Sequence, residues 1–277
     1  MQNRFANLNA AFQLHYYFCT HTKWNQPLFE DKMKERFDFH LREICEIEHY
    51  HLLNHSLYPN NVRLLLSLQP DDQLDRAATK IKANLARRMR LEFSQLADPH
   101  VWARGYLVRS VGRIQQETVE RYITKQEEHH GYKNPDYVAA YQRKEPLPEF
   151  WSRSHVRYNL TYHIVLRTQF GKNMFDGVSG KAVIEEWLKV AAENEVILSR
   201  MKMMPSHAHL MAHLIPTMSV QACVQMLQNS SFELMNARFG GVIKLHEAWD
   251  VWEHSFYAGT LGSVTTAQVD HFLAGKS

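Results

Sequence analysis

The stretch Met204-Pro205-Ser206-His207-Ala208-His209-Leu210 decides how the rest of the chain is interpreted. It indicates a turn that runs into an apolar strand, with His207 and His209 two residues apart. Side chains alternate between the faces of a strand, so both imidazoles share one face. Two imidazoles on one face form half a coordination shell for a divalent cation. Because the chain has 17 histidines among 277 residues, a lone His-x-His is a weak signal, and its context must support it.

That context is an internal duplication. The stretch aligns with Tyr58-Pro59-Asn60-Asn61-Val62-Arg63-Leu64 at a shift of 204 − 58 = 146 residues. Gln13-Leu14-His15-Tyr16-Tyr17-Phe18 aligns with Asn159-Leu160-Thr161-Tyr162-His163-Ile164 at the same shift. Near the ends of the copies, Val101-Trp102-Ala103-Arg104-Gly105-Tyr106 aligns with Val251-Trp252-Glu253-His254-Ser255-Phe256, a shift of 251 − 101 = 150. The chain therefore contains one unit written twice.

Both copies show the same succession of strand-like and helix-like hydrophobic periods. The order is strand, helix, two strands, helix and strand, which is the split βαβ or ferredoxin-like order. The sequence therefore predicts an α+β fold of two tandem ferredoxin-like units, 1–126 and 158–277, with antiparallel sheets that carry helices on one face. Each unit ends in a terminal helix, about 114–126 and about 264–274. The polar, proline-bearing segment 127–157 is predicted to be a linker that runs over the surface as a tether.

Composition narrows the class of protein. The chain is 45% apolar, yet its apolar runs are too short to span a bilayer, which excludes an integral membrane protein. Cys19, Cys45 and Cys223 lack the spacing of a metal site or a disulfide framework, so we expect buried thiols in a reducing cytoplasm. The net charge of +3 favours a polyanionic partner.

The chain resembles the HUH-type single-tyrosine transposases, which move insertion sequences as single-stranded DNA, and their REP-associated relatives. The resemblance covers both units and rests on the His-Ala-His stretch, on residues 102–112, and on Val119-Glu120-Arg121-Tyr122-Ile123-Thr124-Lys125-Gln126. In that family a histidine pair and a glutamine one helical turn after the tyrosine bind Mg²⁺ or Mn²⁺. The tyrosine attacks a DNA phosphate and becomes covalently joined to its 5′ side.

The first unit carries only part of that set. It keeps Tyr122 and Gln126, which share a helix face at a spacing of four residues. The positions that correspond to the histidine pair hold Asn61 and Arg63. Arginine has only hydrogen-bond donors and cannot bind a cation. The first unit therefore retains the nucleophile and the glutamine without the histidine pair.

The second unit carries the complementary part. It keeps His207 and His209, but Phe272 replaces the tyrosine and Lys276 replaces the glutamine. Family members act as dimers in which the tyrosine helix of one subunit often serves the histidine pair of the other. The resemblance thus implies a fused pseudo-dimer that requires no further oligomerisation. Its one active site would join Tyr122 and the ligands of both units, while the second site would be degenerate.

Other histidine patterns have a plainer interpretation. His213 lies further along the same strand and is expected to be structural. His49-Tyr50-His51 also matches the pattern, but its counterpart in the second unit is Glu195-Val196-Ile197, so it is treated as a decoy. The pair His129-His130 fits linker polarity better than a metal site.

The second helix of the first unit carries a basic run with no acid inside it: Lys80, Lys82, Arg87, Arg88 and Arg90. Such a run predicts contacts with DNA phosphates. The alternative is a solvated basic face near a helix C-terminus, where cations are stabilised by the helix dipole. The family resemblance implies single-stranded DNA with a hairpin as the partner.

These observations predict a metal-dependent single-stranded DNA endonuclease and strand transferase, a transposase with one hybrid active site. The alternative is a catalytically inactive, domesticated protein that binds DNA hairpins, because two decaying copies can also leave complementary halves. A plasmid-type replication initiator is a further alternative, although such proteins usually carry an additional helicase or origin-binding domain.

Overall fold

The structure is a computed structural model that describes residues 4–96, 100–112, 115–124 and 138–262. The elements of the first half are β1 (Asn9–Gln13), β2 (His15–His21), α1 (Lys34–Ile47), β3 (His51–Tyr58), β4 (Asn61–Ser67), α2 (Leu74–Glu92), β5 (Tyr106–Val111) and α3 (Gln116–Thr124). Those of the second half are β6 (Ala139–Gln142), β7 (Trp151–Arg153), β8 (Val156–Asn159), β9 (Thr161–Arg167), α4 (Gly177–Glu193), β10 (Ile197–Met204), β11 (His207–His213), α5 (Val220–Leu245) and β12 (Ser255–Leu261). The helix predicted at about 264–274 lies outside the described residues.

The strands form two six-stranded sheets with matching centres. The first sheet has the order β3-β4-β2-β5-β8-β7, and the second has the order β1-β12-β9-β11-β10-β6. The four strands that each unit contributes to its own sheet are antiparallel and occupy equivalent places in the two copies. The predicted α+β fold of two tandem ferredoxin-like units is confirmed.

Two helices in each unit cover one face of its sheet. Apolar side chains at alternate strand positions, such as Tyr16 and Phe18 in β2 or Tyr162 and Ile164 in β9, join the buried core with residues of these helices. Trp187 of α4 is fully buried in this layer. The two helices leave the opposite face of each sheet uncovered. The cysteines at positions 19, 45 and 223 are free and buried, as predicted.

The first strand of each unit belongs to the sheet of the other unit. β1 pairs in parallel with β12, and β8 pairs in parallel with β5. The chain then crosses back at Leu14 and Leu160, which occupy equivalent, fully buried positions. This reciprocal exchange, which the periodicity does not reveal, joins the two units into one pseudo-symmetric body.

Hydroxyl groups close the junction between β5 and β12. Ser110 Oγ accepts a hydrogen bond from the amide of Thr161 (3.0 Å) and donates to the carbonyl of Leu261 (2.5 Å). Thr260 Oγ1 does the same in the other copy, accepting from the amide of His15 (3.0 Å) and donating to Val111 (2.7 Å). Equivalent residues thus make equivalent bonds across the pseudo-twofold axis.

The linker segment differs from the surface tether that its composition predicts. Residues 139–142 form β6, which pairs with β10 at the edge of the second sheet. Residues 151–153 form β7, which pairs with β8 at the edge of the first sheet. Edge strands expose polar side chains on the unpaired side and on the solvated face, so their composition resembles that of a loop.

Candidate active site

The central strand β11 presents the histidine pair on the sheet face that α4 and α5 leave uncovered. Ala208 and Leu210 belong to the core on the helical face, so His207 and His209 point the other way, as alternation predicts. Their ring centroids lie 5.1 Å apart, and the ring planes are nearly perpendicular. His209 is buried, whereas His207 is half-buried.

A third imidazole, His163 of β9, joins the pair. Its Nε2 lies 3.1 Å from Nδ1 of His209, and the two rings are stacked with centroids 5.4 Å apart. Burial lowers the pKa of His163 to about 4. His163 is not among the predicted site residues, because its counterpart in the first unit is Tyr17, which gives no metal-binding signal. Alternation along the strand could have indicated it, because His163 lies on a central strand at a position that faces the same uncovered side of the sheet as His207 and His209.

The terminal helix of the first unit packs on this open face of the second unit. Val119 and Ile123 of α3 form a small buried apolar cluster with Met211 of β11 and Leu261 of β12. The spacing of four residues places both α3 side chains on one face of the helix. Apolar contacts between the two units therefore hold α3 over the strand that carries the histidines.

Basic side chains of β10 hold the C-terminal end of α3. Lys202 Nζ donates to the carbonyl oxygen of Thr124 at 2.8 Å. Arg200 donates to Thr124 Oγ1 at 2.5 Å, and its guanidinium lies 3.6 Å from the carboxylate of Glu120. Both cations therefore bind the last turn of α3 that the structure describes. Lys202 is also the register partner of His209, so the clamp is next to the imidazoles.

These contacts bring Tyr122 to the imidazole cluster. The Tyr122 ring lies edge-to-face against His209, with centroids 5.5 Å apart, and its centroid is 6.2 Å from that of His163. The side chain remains 42% exposed, so it is open to solvent on one side. Gln126, Phe272 and Lys276 lie outside the described residues.

The corresponding face of the first unit has a different character. Asn61 is buried, and the guanidinium of Arg63 lies 4.6 Å from the ring centroid of Tyr58. Phe150 of the linker segment packs there against Leu107. This face therefore offers an amide and a cation where the second unit offers two imidazoles.

Two members of the basic run on α2 are engaged with backbone carbonyls of their own unit. Lys82 Nζ donates to the carbonyl oxygens of Ala103 (2.8 Å) and Gly105 (2.9 Å). Burial lowers the pKa of Lys82 to about 8. Arg90 Nε donates to the carbonyl oxygen of Ala86 at 3.0 Å. Lys82 is a half-buried cation bonded to carbonyl oxygens of its own unit, an environment that the spacing of the run does not predict. Its contact with DNA phosphates stays a prediction.

The other basic residues of the run lie nearer the surface. Arg88 forms an ion pair with Glu43, and Lys80 forms one with Glu48. Arg87 is exposed. Surface ion pairs contribute little stability and can be exchanged for contacts with phosphate. A DNA contact by these three residues stays a prediction.

The side chains around His207 and His209 provide part of a coordination shell for a metal ion. Within the described residues, no group of three His, Cys, Asp or Glu side chains could hold a metal ion. The chemistry of the pair itself fits a cation, because both imidazoles lie on one face and Nδ1 of His209 is held by His163. Metal-bound histidines usually have such a partner at the second ring nitrogen. His207 and His209 thus suit two of the coordination positions of a divalent cation.

Comparison with known proteins assigns the chain to a family. Residues 10–126 and 156–275 each match the family described as "Transposase IS200 like". The chain belongs to the IS200-like transposase family. Two matches in one chain agree with the duplication, and the family makes DNA the partner and DNA cleavage and strand transfer the chemistry. No helix in the described part of this transposase is both long and apolar enough to span a membrane.

Three proteins similar to this transposase each cover less than half of it. It is 25% identical over 122 residues to the "Transposase for insertion sequence element IS200" of Salmonella typhimurium, covering 44% of this chain and 80% of the relative. It is 23% identical over 131 residues to "ISDra2 transposase TnpA" of Deinococcus radiodurans, covering 47% and 93%. A crystal structure assigned as a Deinococcus radiodurans transposase is 25% identical, covers 42% of this chain and 92% of its own, and has a TM-score of 0.36.

Proposed function

We propose that the protein is a metal-dependent transposase that cuts and rejoins single-stranded DNA at one hybrid active site. Tyr122 and Gln126 of the first unit would act together with His207 and His209 of the second. The observation that carries the proposal is the edge-to-face contact between Tyr122 and His209, which come from different units. This contact joins the only nucleophile and the only histidine pair that the family motifs retain in the two copies.

Tyr122 is the proposed nucleophile. A phenol is a weak nucleophile until a cation or a base lowers the energy of its ionised form. In the proposed step, the Tyr122 oxygen bonds to phosphorus, the phenolic proton passes to solvent, and the bond from phosphorus to the 3′ oxygen breaks. The released strand takes up a proton as a 3′ hydroxyl, and the 5′ phosphate remains on the tyrosine. The partial exposure of Tyr122 leaves room for a strand to approach it.

His207, His209 and Gln126 are the proposed ligands of Mg²⁺ or Mn²⁺. A bound divalent ion would polarise the phosphate and offset the charge that develops in the transition state. The contact between Nε2 of His163 and Nδ1 of His209 orients the ring of His209 for this role; as a ligand through Nε2, His209 would donate from Nδ1 to His163. Because imidazole is a better ligand for transition metals than for Mg²⁺, the donor set favours Mn²⁺ of the two ions.

The first unit's own face is proposed to be catalytically silent. Asn61 and Arg63 replace the histidine pair, Arg63 is a cation, and Phe272 has no nucleophilic atom. A molecule with one nucleophile holds one covalent DNA end at a time, so two-ended excision would need sequential cuts or two molecules. The proposed substrate is single-stranded DNA with a hairpin, and the exposed arginine and lysine side chains of α2 would contact its phosphates.

Covalent capture of DNA tests the assignment of Tyr122. Purified protein is incubated with labelled single-stranded oligonucleotides and Mn²⁺, and adducts are separated on denaturing gels and mapped by mass spectrometry. We expect Tyr122→Phe to abolish the adduct. The matched control is Tyr257→Phe, because Tyr257 also contacts the cluster, with its ring centroid 6.0 Å from that of His163, but belongs to the second unit. The reverse change Phe272→Tyr should not restore the Tyr122→Phe variant.

Each result separates the proposal from its alternatives. An adduct that survives Tyr122→Phe and disappears with Tyr257→Phe would replace the hybrid site by one built within the second unit. DNA binding by the wild type without any adduct, in either Mn²⁺ or Mg²⁺, would favour an inactive DNA-binding protein.

A further inference from the structure

Each unit contains the same tight turn directly after its first central strand. In the first unit, Thr22 Oγ1 donates to the carbonyl oxygen of Gln26 at 2.6 Å. In the second, Thr168 Oγ1 donates to the carbonyl oxygen of Lys172, also at 2.6 Å. The two turns are equivalent at the shift of 146 residues, so divergence of the copies has left this geometry unchanged.

Two consecutive residues in each turn adopt the left-handed conformation. They are Trp24 (φ 56°) and Asn25 (φ 58°) in the first unit, and Phe170 (φ 57°) and Gly171 (φ 63°) in the second. The second position holds asparagine and glycine, which tolerate this conformation. The first position holds a bulky aromatic residue in both copies, for which positive φ is a strained outlier. An aromatic residue at the first position therefore strains the backbone in both copies.

The left-handed residues at another pair of equivalent positions provide a contrast. His49 (φ 58°) and Glu195 (φ 57°) follow the ends of α1 and α4. A left-handed residue just after a helix is a common way to end it. The residue type is not kept at these positions, whereas an aromatic ring is kept at 24 and 170.

Burial does not explain the aromatic residues. Trp24 is 72% exposed, and the ammonium of Lys23 lies 4.0 Å from its ring centroid. Phe170 is 54% exposed and makes an edge contact, at 5.0 Å between centroids, with Trp249, which is itself 62% exposed. Buried aromatic residues stabilise a fold through the surface they remove from water, and these rings leave most of theirs in solvent.

The turns adjoin the strands that carry the histidine pair and its degenerate counterpart. The amide of Thr168 donates to the carbonyl oxygen of Ser206 (2.9 Å), the residue before His207. Arg167, which directly precedes Thr168, is the register partner of His207. In the first unit, the amide of Thr22 bonds in the same way to Asn60, the residue before Asn61. Each turn that carries an exposed ring thus adjoins the start of the corresponding strand.

We propose that Trp24 and Phe170 are stacking platforms for unpaired bases of the DNA strand. This inference rests on the proposed function, since it assigns the bases that flank the cut phosphate to these rings. Aromatic side chains bind single strands with little sequence preference because every base has a π face. Lys23 adds a positive charge beside Trp24 for the neighbouring phosphate. Phe170 serves the strand at the active centre, and Trp24 holds a second segment at the silent one.

Asparagine substitutions separate a binding role from a structural role. Asparagine tolerates the left-handed conformation, so Phe170→Asn and Trp24→Asn remove the ring without straining the turn. Affinity is measured by fluorescence anisotropy, with the full chain and a fluorescein-labelled single-stranded oligonucleotide of mixed sequence in EDTA, so that binding is observed without cleavage. We expect each variant to bind about tenfold more weakly and to keep or raise its thermal midpoint. Phe39→Ala, which removes a half-exposed ring from α1, is the matched control and should change nothing.

Photocrosslinking identifies the contact directly. A strand that contains 5-iododeoxyuridine should crosslink to the peptides that carry Trp24 and Phe170. Unchanged affinity in both asparagine variants, or weaker binding that follows a fall in the thermal midpoint, would overturn the inference. If the wild type binds DNA and forms the Tyr122 adduct while the asparagine variants bind equally well, only the stacking role fails. Absence of binding by the wild type would end both proposals.

Discussion

Nε2 of His163 lies 3.1 Å from Nδ1 of His209, and the two rings are stacked within 13° of parallel. The bond joins β9 to β11, so it fixes the plane of the His209 ring from the neighbouring strand. A ligand that is oriented before the metal arrives loses less conformational freedom on binding. His163 therefore acts as a positioning residue for the proposed metal site.

Removal of this bond should weaken metal binding. We expect His163→Ala to lower the affinity for Mn²⁺ by about 10- to 100-fold, because loss of the partner of a metal-bound histidine has effects of that size. His163→Gln should recover part of the loss, since an amide can still bond to the ring. Isothermal titration with Mn²⁺ measures the effect without DNA. His155→Ala, at an exposed turn, is the control. Equal affinity in wild type and His163→Ala would contradict the positioning role.

Loss of the clamp on α3 should separate docking of the tyrosine helix from metal binding. Lys202→Met removes the buried ammonium that bonds to Thr124, and hydrogen bonds from charged groups contribute about 2 kcal/mol. We expect faster hydrogen exchange in residues 116–124 and slower formation of the covalent adduct than in the wild type. The affinity for Mn²⁺ should not fall. Lys189→Met, at an exposed position on α4, should leave both unchanged. Unaltered exchange in α3 would show that the apolar cluster suffices.

Local periodicity predicts the elements of each unit well. The predicted order of strand, helix, two strands, helix and strand is observed in the first unit as β2, α1, β3, β4, α2 and β5, and in the second as β9, α4, β10, β11, α5 and β12. The side of the sheet that carries His207 and His209 also follows from alternation alone. The contact of Tyr122 with the second unit was expected from family resemblance, and the catalytic role of Tyr122 stays a proposal.

Features that depend on pairing between distant segments were not predictable. Nothing in the alternation of Asn9–Gln13 indicates that it pairs with β12 instead of a strand of its own unit. Lys82 was expected to face DNA because its spacing matches the basic run, yet the carbonyl oxygens that bind it lie about twenty residues along the chain, beyond any helical pattern. The role of His163 depends on the register in which β9 pairs with β11. The hydrophobic pattern of the two strands does not specify that register.

The glycine at the junction of the two units should be intolerant of a side chain. A Cβ atom at Gly112 would lie 2.0 Å from the carbonyl oxygen of Thr260, which is backbone of the other unit. We expect Gly112→Ala to lower the free energy of unfolding by about 3 kcal/mol, because the strands must move apart. Gly241→Ala is the matched control: apart from the adjoining backbone of its own helix, nothing lies within 4 Å of a Cβ placed there, and alanine in a helix should stabilise by about 0.5–1 kcal/mol. Equal urea midpoints would show that the junction is not tightly packed.

Acid should destabilise the second unit through His213. This residue is held by Thr161 and Ser199, and burial together with the charge of Arg143 lowers its pKa to about 4. The unfolded chain therefore binds a proton that the folded chain excludes, so stability is full above about pH 6.5 and falls as the pH decreases towards 4. One such group contributes a slope of at most about 1.4 kcal/mol per pH unit.

Urea unfolding in EDTA at several pH values between 7 and 4 measures this slope. We expect His213→Gln to be less stable than the wild type at pH 7, because it loses two buried hydrogen bonds, yet to lose stability more slowly as the solution is acidified. His155→Gln changes an exposed imidazole and should keep the steep wild-type slope. A His213→Gln profile parallel to that of the wild type would mean that His213 takes up its proton without unfolding, which its burial between Thr161 and Ser199 argues against.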